Sequence, residues 1–133
     1  MRLVIQRCLE ASVKIDGEIV SSIGKGLLVL VGIEQGDTQA DVDWLVGKTA
    51  GLRIFDDEAG VMNLTASTRK GNRPSYIRAA GHELAVPLYE SYCEKLSEAL
   101  GRSVGKGRFG ADMKVSLVND GPVTIIIDSR LRE

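Results

Sequence analysis

The side chains that most often act as bases or nucleophiles are scarce in this chain of 133 residues. His82 is its one histidine, and it follows Gly81 where the sequence predicts the start of a helix. A lone histidine in that place is more often a surface or capping residue than a base, and a Ser-His-Asp triad needs it. Cys8 and Cys93 are too far apart in sequence for a metal knuckle, so we interpret both as small buried apolar residues.

Two other patterns could indicate metal or phosphate chemistry, and neither has the required context. "DDE", at Asp56 to Glu58, is an acidic turn without the spacing of metal ligands. "GKGRFG", at Gly105 to Gly110, is rich in glycine but lacks the strand before and the helix after that a phosphate-binding loop has. The sequence therefore predicts no metal and no cofactor. If the protein is a hydrolase, backbone groups or the substrate's own groups must supply the chemistry.

"NDGPVT", Asn119 to Thr124, is the most specific short pattern in the chain. It lies between two predicted strands, so we expect it at the tip of a hairpin. Gly121 has no Cβ, so its main chain can approach a ligand closely. Pro122 is rigid, so little entropy is lost when a ligand binds. The pair suits a stiff main-chain surface.

A basic loop is the exception to an otherwise neutral balance. The formal net charge is −1, so no global field draws the chain to nucleic acid. Arg69, Lys70 and Arg73 nevertheless lie within five residues of one another. Two interpretations remain open, a solvated surface loop and a site that contacts phosphate.

The first half of the chain predicts three strands and a helix. Arg2–Cys8 is rich in branched apolar residues, and a hairpin with a primed turn is centred on Asp16-Gly17. The apolar run from Gly26 to Ile33 predicts a central strand buried on both faces. A helix follows, in which Asp37 or Thr38 caps the start and Val42, Leu45, Val46 and Thr49 share one face. "RIF", from Arg53 to Phe55, predicts a short strand, and "VMNL" begins another extended piece.

The second half predicts a polar loop, a helix and two strands. The loop runs from Thr65 to Tyr76. The helix ends at Gly101, has Pro87 in its first turn, and presents an apolar face of Leu88, Tyr92, Leu96 and Leu100. "ADMKVSLV" and "VTIIID" predict the last two strands.

This order of elements predicts a single α+β domain over residues 1–133. Strands dominate, two main helices are inserted, and short connections favour an antiparallel or mixed sheet. No charged segment precedes an apolar one at the start, and no apolar run reaches about 18 residues. We therefore expect a cytoplasmic protein that does not span a membrane.

Several longer strings together resemble the bacterial D-aminoacyl-tRNA deacylases. These are "VIQR", "GKGLLVLVGIE", "LRIFDDEAGVMNL", "TRKGNRPSY" and "GRFGADMKVSLVNDGPVT". The resemblance implies a homodimer with a barrel-like α+β fold. It also implies hydrolysis of the ester that joins a D-amino acid, or glycine, to the 3′ end of tRNA.

The resemblance assigns roles to particular residues. Gly121 and Pro122, joined by a cis peptide bond, would enter the partner subunit's active site, reject L-amino acids sterically and form the catalytic centre. Arg7 would hold the carbonyls of this pair with its forked donors. Phe109 and Met113 would pack against the terminal adenosine. Further expected members are Ala79 and Asn119 for substrate and, more weakly, Arg69, Lys70 and Arg73 for tRNA phosphate.

The chain departs from this family at one place. The family has a strand reading Ser-Gln-x-Thr-Leu just before the basic loop, whereas here "MNLT" runs directly into "ASTRKG", near residues 64–66. That strand supplies backbone donors and a hydroxyl for the ester carbonyl. Either the sequence omits residues that the natural molecule has, or the deletion is real. A real deletion favours the alternative function, a catalytically inactive homologue that binds tRNA 3′ ends without turnover.

Overall fold

Strand β1 (Arg2–Ile15) is the centre of the sheet in a computed structural model of the chain, which describes residues 1–54 and 78–132. β2 and β3 share one edge of β1, and β4 covers the whole of the other edge. Every pairing among these strands is antiparallel, so a four-stranded antiparallel sheet and two helices make up the predicted α+β fold. The remaining elements are β2 (Glu18–Ile23), β3 (Gly26–Gly32), α1 (Gln39–Ala50), α2 (His82–Leu100) and β4 (Met113–Asp128).

The tight turn between β1 and β2 confirms the predicted hairpin. Ile15 pairs with Glu18, so only Asp16 and Gly17 lie in the loop. Both have positive φ, 50° and 80°, as a primed turn requires.

The prediction that residues 26–33 form a central strand buried on both faces is wrong in the described part of the chain. β3 pairs there with β1 only, and most of its side chains are half-buried. Leu30 is 50% exposed. The central position belongs to β1, which contacts all three of the other strands.

Helix α1 agrees with its apolar pattern. Val42, Leu45, Val46 and Thr49 are all buried. Thr38 is the N-cap residue, and its N–H donates to the Asp41 carboxylate at 2.8 Å, as in a capping box.

Helix α2 corrects two predictions and confirms a third. Pro87 lies inside the helix rather than in its first turn, because the helix already begins at His82. Because proline has no N–H, the Glu83 carbonyl lacks its helical hydrogen-bond partner. Both Glu83 and Pro87 are exposed, so water can bind that carbonyl instead. Leu100 is 45% exposed, unlike the buried Leu88, Tyr92 and Leu96. Gly101 ends the helix in the left-handed conformation, as predicted.

The predicted strand from Arg53 to Phe55 is not present in the described residues. Arg53 and Ile54 belong to no strand, and Phe55 lies outside the described range, as do the "VMNL" segment and the basic loop. Neither described helix is both long and apolar enough to cross a membrane.

The core lies between one face of β1 and the two helices. A buried hydrogen bond of 2.9 Å joins the hydroxyls of Thr49 and Tyr92, one from each helix. Burial raises the pKa of Tyr92 to about 12, so this hydroxyl stays neutral. The buried apolar side chains of this core are Met1, Leu3, Ile5, Ile33, Val42, Leu45, Val46, Ala85, Leu88, Tyr92 and Leu96.

A buried ionic network fixes the start of β1 against the end of β4. The Met1 ammonium group donates to Asp37 Oδ1 at 2.7 Å and to Ser129 Oγ at 3.0 Å. The Arg130 guanidinium donates to the same Asp37 oxygen at 2.9 Å. The side chains of Met1 and Asp37 are both completely buried. One carboxylate therefore compensates two cationic groups.

Replacing Asp37 should destabilise the fold strongly. Asp37→Ala leaves the Met1 ammonium buried without a counter-charge, and the free energy of unfolding should fall by about 3–5 kcal/mol. Urea denaturation measures the loss. The control is Asp43→Ala, which removes an exposed ion pair with Lys95 and should cost at most about 1 kcal/mol. Equal losses for the two variants would contradict the role of the network.

Candidate active site

The segment that contains Gly121 and Pro122 is a bulge within one strand, so the prediction of a hairpin tip is wrong. Both halves of β4 pair with the same strand, β1, rather than with each other. Gln6 pairs with Thr124 and Cys8 with Asn119, so the four residues between Asn119 and Thr124 stand opposite Arg7 alone. We call these four residues, Asp120–Val123, the Gly-Pro bulge.

The tip of the Gly-Pro bulge is exposed main chain. Gly121 and Pro122 are both exposed, whereas Val123 is buried. The Gly121–Pro122 peptide bond is cis, as the resemblance implies. Gly121 has φ +140°, and a Cβ built on it would lie 2.8 Å from the Val123 nitrogen. The backbone here requires glycine both for its conformation and for its close approach to Val123.

Arg7 holds the bulge from the opposite strand. Its side chain lies on the core face of β1, two and four residues after the buried Ile5 and Leu3, and is only 7% exposed as a residue. Arg7 Nε donates to the Asp120 carbonyl at 3.1 Å and lies 3.2 Å from the Asp120 carboxylate. Nη1 donates to the Ile54 carbonyl. The Arg7 guanidinium thus binds Asp120, the residue that precedes Gly121.

Asn119 closes the bulge with its side-chain amide. Nδ2 donates to the Arg7 carbonyl at 2.9 Å and to the Val123 carbonyl at 3.1 Å. The predicted residues Arg7, Asn119, Gly121 and Pro122 therefore come together at one place in the sheet.

Phe109 and Met113 lie beside other groups. The Phe109 ring is half-buried and meets the His82 ring edge-on, with centroids 5.1 Å apart. Met113 is 37% exposed, and its sulfur lies so close to Gly107 that a Cβ there would be 2.4 Å away. Their predicted contact with adenosine stays a prediction.

Ala79 and the basic residues complete the predicted set. Ala79 is exposed and forms an isolated bridge with Glu34, at the end of β3. Arg69, Lys70 and Arg73 lie outside the described residues. The proposed roles of all four stay predictions.

The two thiols are unsuited to nucleophilic attack. Burial raises the pKa of Cys8, which follows Arg7, and burial is also the main reason that the pKa of Cys93 is raised. Both thiols are therefore protonated at neutral pH, whereas attack requires thiolate. Within residues 1–54 and 78–132, no cluster of three or more His, Cys, Asp or Glu side chains could hold a metal ion.

A cavity of about 830 Å³ lies beside β3, between the sheet and α2. Leu27, Val29 and Val31 of β3 line it, together with Tyr89 and Leu96 of α2. Among the described residues, the apolar run that predicts a fully buried strand thus faces open space on one side.

Known proteins match this chain over most or all of its length. The family model described as D-Tyr-tRNA(Tyr) deacylase matches residues 4–67 and 62–128. The chain belongs to this deacylase family. A D-aminoacyl-tRNA deacylase of Bacteroides thetaiotaomicron is 57% identical over an alignment that covers all of both chains.

Solved structures show the same fold for this deacylase family member. A c-Myc DNA unwinding element binding protein is 35% identical and has a TM-score of 0.83. The match covers 96% of this chain and 98% of the chain of that protein. A probable eukaryotic D-amino acid tRNA deacylase has a TM-score of 0.70 at 14% identity, over 95% of this chain and 97% of its own. At that identity, the second likeness concerns the fold alone.

This chain is shorter than its relatives. The alignment with the Bacteroides protein has 150 positions, so at least 17 have no counterpart among the 133 residues here. The family model matches in two pieces that overlap at residues 62–67. Residues 64–66 lie outside the described range, so the loss of one strand there stays a prediction.

Sequence analysis assigns no role at the site to three groups that lie near the predicted residues. Asp120 and the Ile54 carbonyl bind Arg7, and His82 lies against Phe109. Asp120 could be suspected because it precedes Gly121. The Ile54 carbonyl has no sequence signal, since any residue offers one.

Gly121→Ala should disrupt the bulge. The new methyl group would meet the Val123 backbone, and the positive φ is unfavourable for any L side chain, so we expect a loss of stability larger than about 2 kcal/mol. Gly17→Ala is the matched control, because Gly17 also has positive φ but has no neighbour within 4 Å of an added Cβ. Urea denaturation should show the larger loss for Gly121→Ala. Equal losses would show that close approach plays no part.

Proposed function

We propose that this protein hydrolyses the ester bond of D-aminoacyl-tRNA, releasing the D-amino acid and free tRNA. The observation that carries the proposal is the exposed main chain at Gly121 and Pro122, held by Arg7 and Asn119, in a chain of the deacylase family. The poverty of catalytic side chains agrees with it, because this reaction would be carried out by backbone groups and by the substrate.

The site would distinguish D- from L-amino acids by steric exclusion. The backbone of the Gly-Pro bulge would bind the substrate's amino group and leave no room for the side chain of an L-amino acid. Because peptide atoms do not distinguish one D side chain from another, many D-amino acids would be accepted. Glycine has no side chain to reject, so glycyl-tRNA, including tRNA-Ala mischarged with glycine, would be a substrate as well.

Ester cleavage itself would need no nucleophile from the protein. Water would attack the ester carbonyl carbon and give up a proton to the leaving 3′-oxygen. If the 2′-hydroxyl of the terminal adenosine attacked first, the acyl group would only move to the 2′-oxygen, and water would still have to release it. Backbone N–H groups would stabilise the oxyanion that forms, and the bond to the 3′-oxygen would then break. Phe109, Met113 and Ala79 would hold the adenosine, and Arg69, Lys70 and Arg73 would contact phosphate.

The active site would be shared between two subunits of a homodimer. The tip of the Gly-Pro bulge is exposed in a single chain, so a partner's cavity can receive it. β4 has 16 residues, and in the described part of the chain its outer edge pairs with no strand. Met113 and Val115 on this strand are 37% and 39% exposed. An unpaired edge beside exposed apolar side chains is typical of an interface between chains.

A second candidate function is binding of tRNA 3′ ends without turnover. The shortfall of at least 17 positions against the Bacteroides relative favours it. If the missing positions include the donors for the oxyanion, the chain would recognise its substrate but fail to cleave it, since each such donor contributes about 10²–10³ in rate.

The purified chain should hydrolyse D-Tyr-tRNA and leave L-Tyr-tRNA intact. Release of labelled tyrosine from each substrate measures this, with protein from a host that lacks its own deacylase. Equal rates on both substrates would contradict the proposed function. Salt-sensitive binding of both uncharged and charged tRNA, with no release of tyrosine, would instead establish the second candidate.

The homodimer should have about twice the 14.3 kDa mass of one chain. Val115→Asp places a charge on the exposed apolar face of β4 and should convert the dimer to a monomer, as measured by size-exclusion chromatography with light scattering. Lys114→Asp introduces the same carboxylate one residue earlier, on the opposite face of the strand, and should leave the dimer intact. A wild-type mass of one chain would refute the shared site.

A further inference from the structure

The Gly-Pro bulge interrupts the hydrogen bonds between β1 and β4 at the place where the site needs rigidity. Arg7 is the only residue of β1 opposite the four residues of the bulge. Arg7 has no register partner on β4, so its carbonyl and that of Val123 lie where the regular pairing of β1 with β4 is interrupted. Carbonyls left unpaired in a sheet are unfavourable.

Asn119 replaces the lost pairing. Its side-chain amide has two N–H donors, one directed to the Arg7 carbonyl at 2.9 Å and the other to the Val123 carbonyl at 3.1 Å. The first bond crosses to the opposite strand, and the second spans the bulge from its first flanking residue to its last member. Both donors are thus engaged with backbone, which leaves neither for a substrate.

The side-chain type fits this task closely. Aspartate has the same shape but would direct an acceptor at two other acceptors. Serine and threonine have one donor and could satisfy only one carbonyl. The Arg7 side chain adds another hydrogen bond to the bulge, from its Nε to the Asp120 carbonyl. Main chain and side chain of Arg7 therefore both bind the start of the bulge.

We propose that Asn119 is a positioning residue that sets how far Gly121 and Pro122 project from the sheet, and that it thereby determines stereochemical selectivity. The selectivity half of this inference rests on the proposed function. A site that rejects L side chains by shape needs the backbone of the Gly-Pro bulge to stay in a fixed position. If that backbone could shift away from the substrate, the site would admit the L side chain while still accepting the D one.

The test compares Asn119→Asp and Asn119→Ala with the matched control Thr124→Val. The control removes one side-chain hydrogen bond of the same strand pair, from Gln6 Nε2 to Thr124 Oγ1 at 3.3 Å, just beyond the bulge. The ratio of hydrolysis rates on D- and L-Tyr-tRNA should fall at least about tenfold in both Asn119 variants and stay constant in the control. The L rate should rise, whereas a merely destabilised protein would lose both rates together.

A second measurement does not depend on catalysis. Backbone hydrogen exchange, followed by NMR, should become at least about tenfold faster at Gly121 and Val123 in the Asn119 variants than in the control, with Ile5 unchanged. If wild type shows no deacylation, the proposed function fails and this exchange alone tests the positioning role. Unchanged exchange at Gly121 and Val123 overturns that role, and faster exchange with a constant D-to-L ratio overturns the link to selectivity. If Asn119→Asp does not fold, Asn119→Ala, which adds no charge, provides both measurements.

Discussion

Four residues of β4 stand opposite one residue of β1, and the site depends on that mismatch. A strand forced to place Asp120–Val123 against Arg7 alone must push main chain out of the sheet. The projecting part is Gly121 and Pro122, which are exposed, while Val123 turns inward and is buried. Arg7 can hold the bulge because its side chain is buried on the core face of β1 and its guanidinium binds Asp120.

Local pattern predicts most of the elements but not this arrangement. The primed turn at Asp16-Gly17 and the buried face of α1 follow from spacings of a few residues, and both were predicted correctly. A hairpin and a bulge at "NDGPVT" have the same local signals, two strands around a glycine and a proline. What separates them is whether the halves pair with each other or both with β1, which depends on contacts more than 100 residues apart in sequence. The local pattern singled out Gly121 and Pro122, whereas Arg7 was assigned by the resemblance alone.

Strand β3 shows where the pattern and the structure disagree for a physical reason. An unbroken apolar run is typical of a strand covered on both faces, yet Leu27, Val29 and Val31 line a cavity of about 830 Å³. The relatives have at least 17 positions that this chain lacks, and the family match breaks at residues 62–67. Among the described residues, the apolar face of β3 therefore borders open space. The loss of a neighbouring element near residues 64–66 would leave such a face uncovered, and that loss stays a prediction.

The two candidate functions therefore share one half of the site and differ in the other. Recognition of handedness would reside in β1 and β4, whose bulge, Arg7 clamp and Asn119 amide are all present. The break in the family match lies elsewhere in the chain, at 62–67, between α1 and α2. In the described part of the chain, the strand pairings on both sides of the bulge all join β1 to β4. A change confined to residues 62–67 would then remove donors for the oxyanion and leave these pairings in place. Selection and cleavage would then be separable in this chain, and loss of turnover would not by itself mean loss of stereochemical preference in binding.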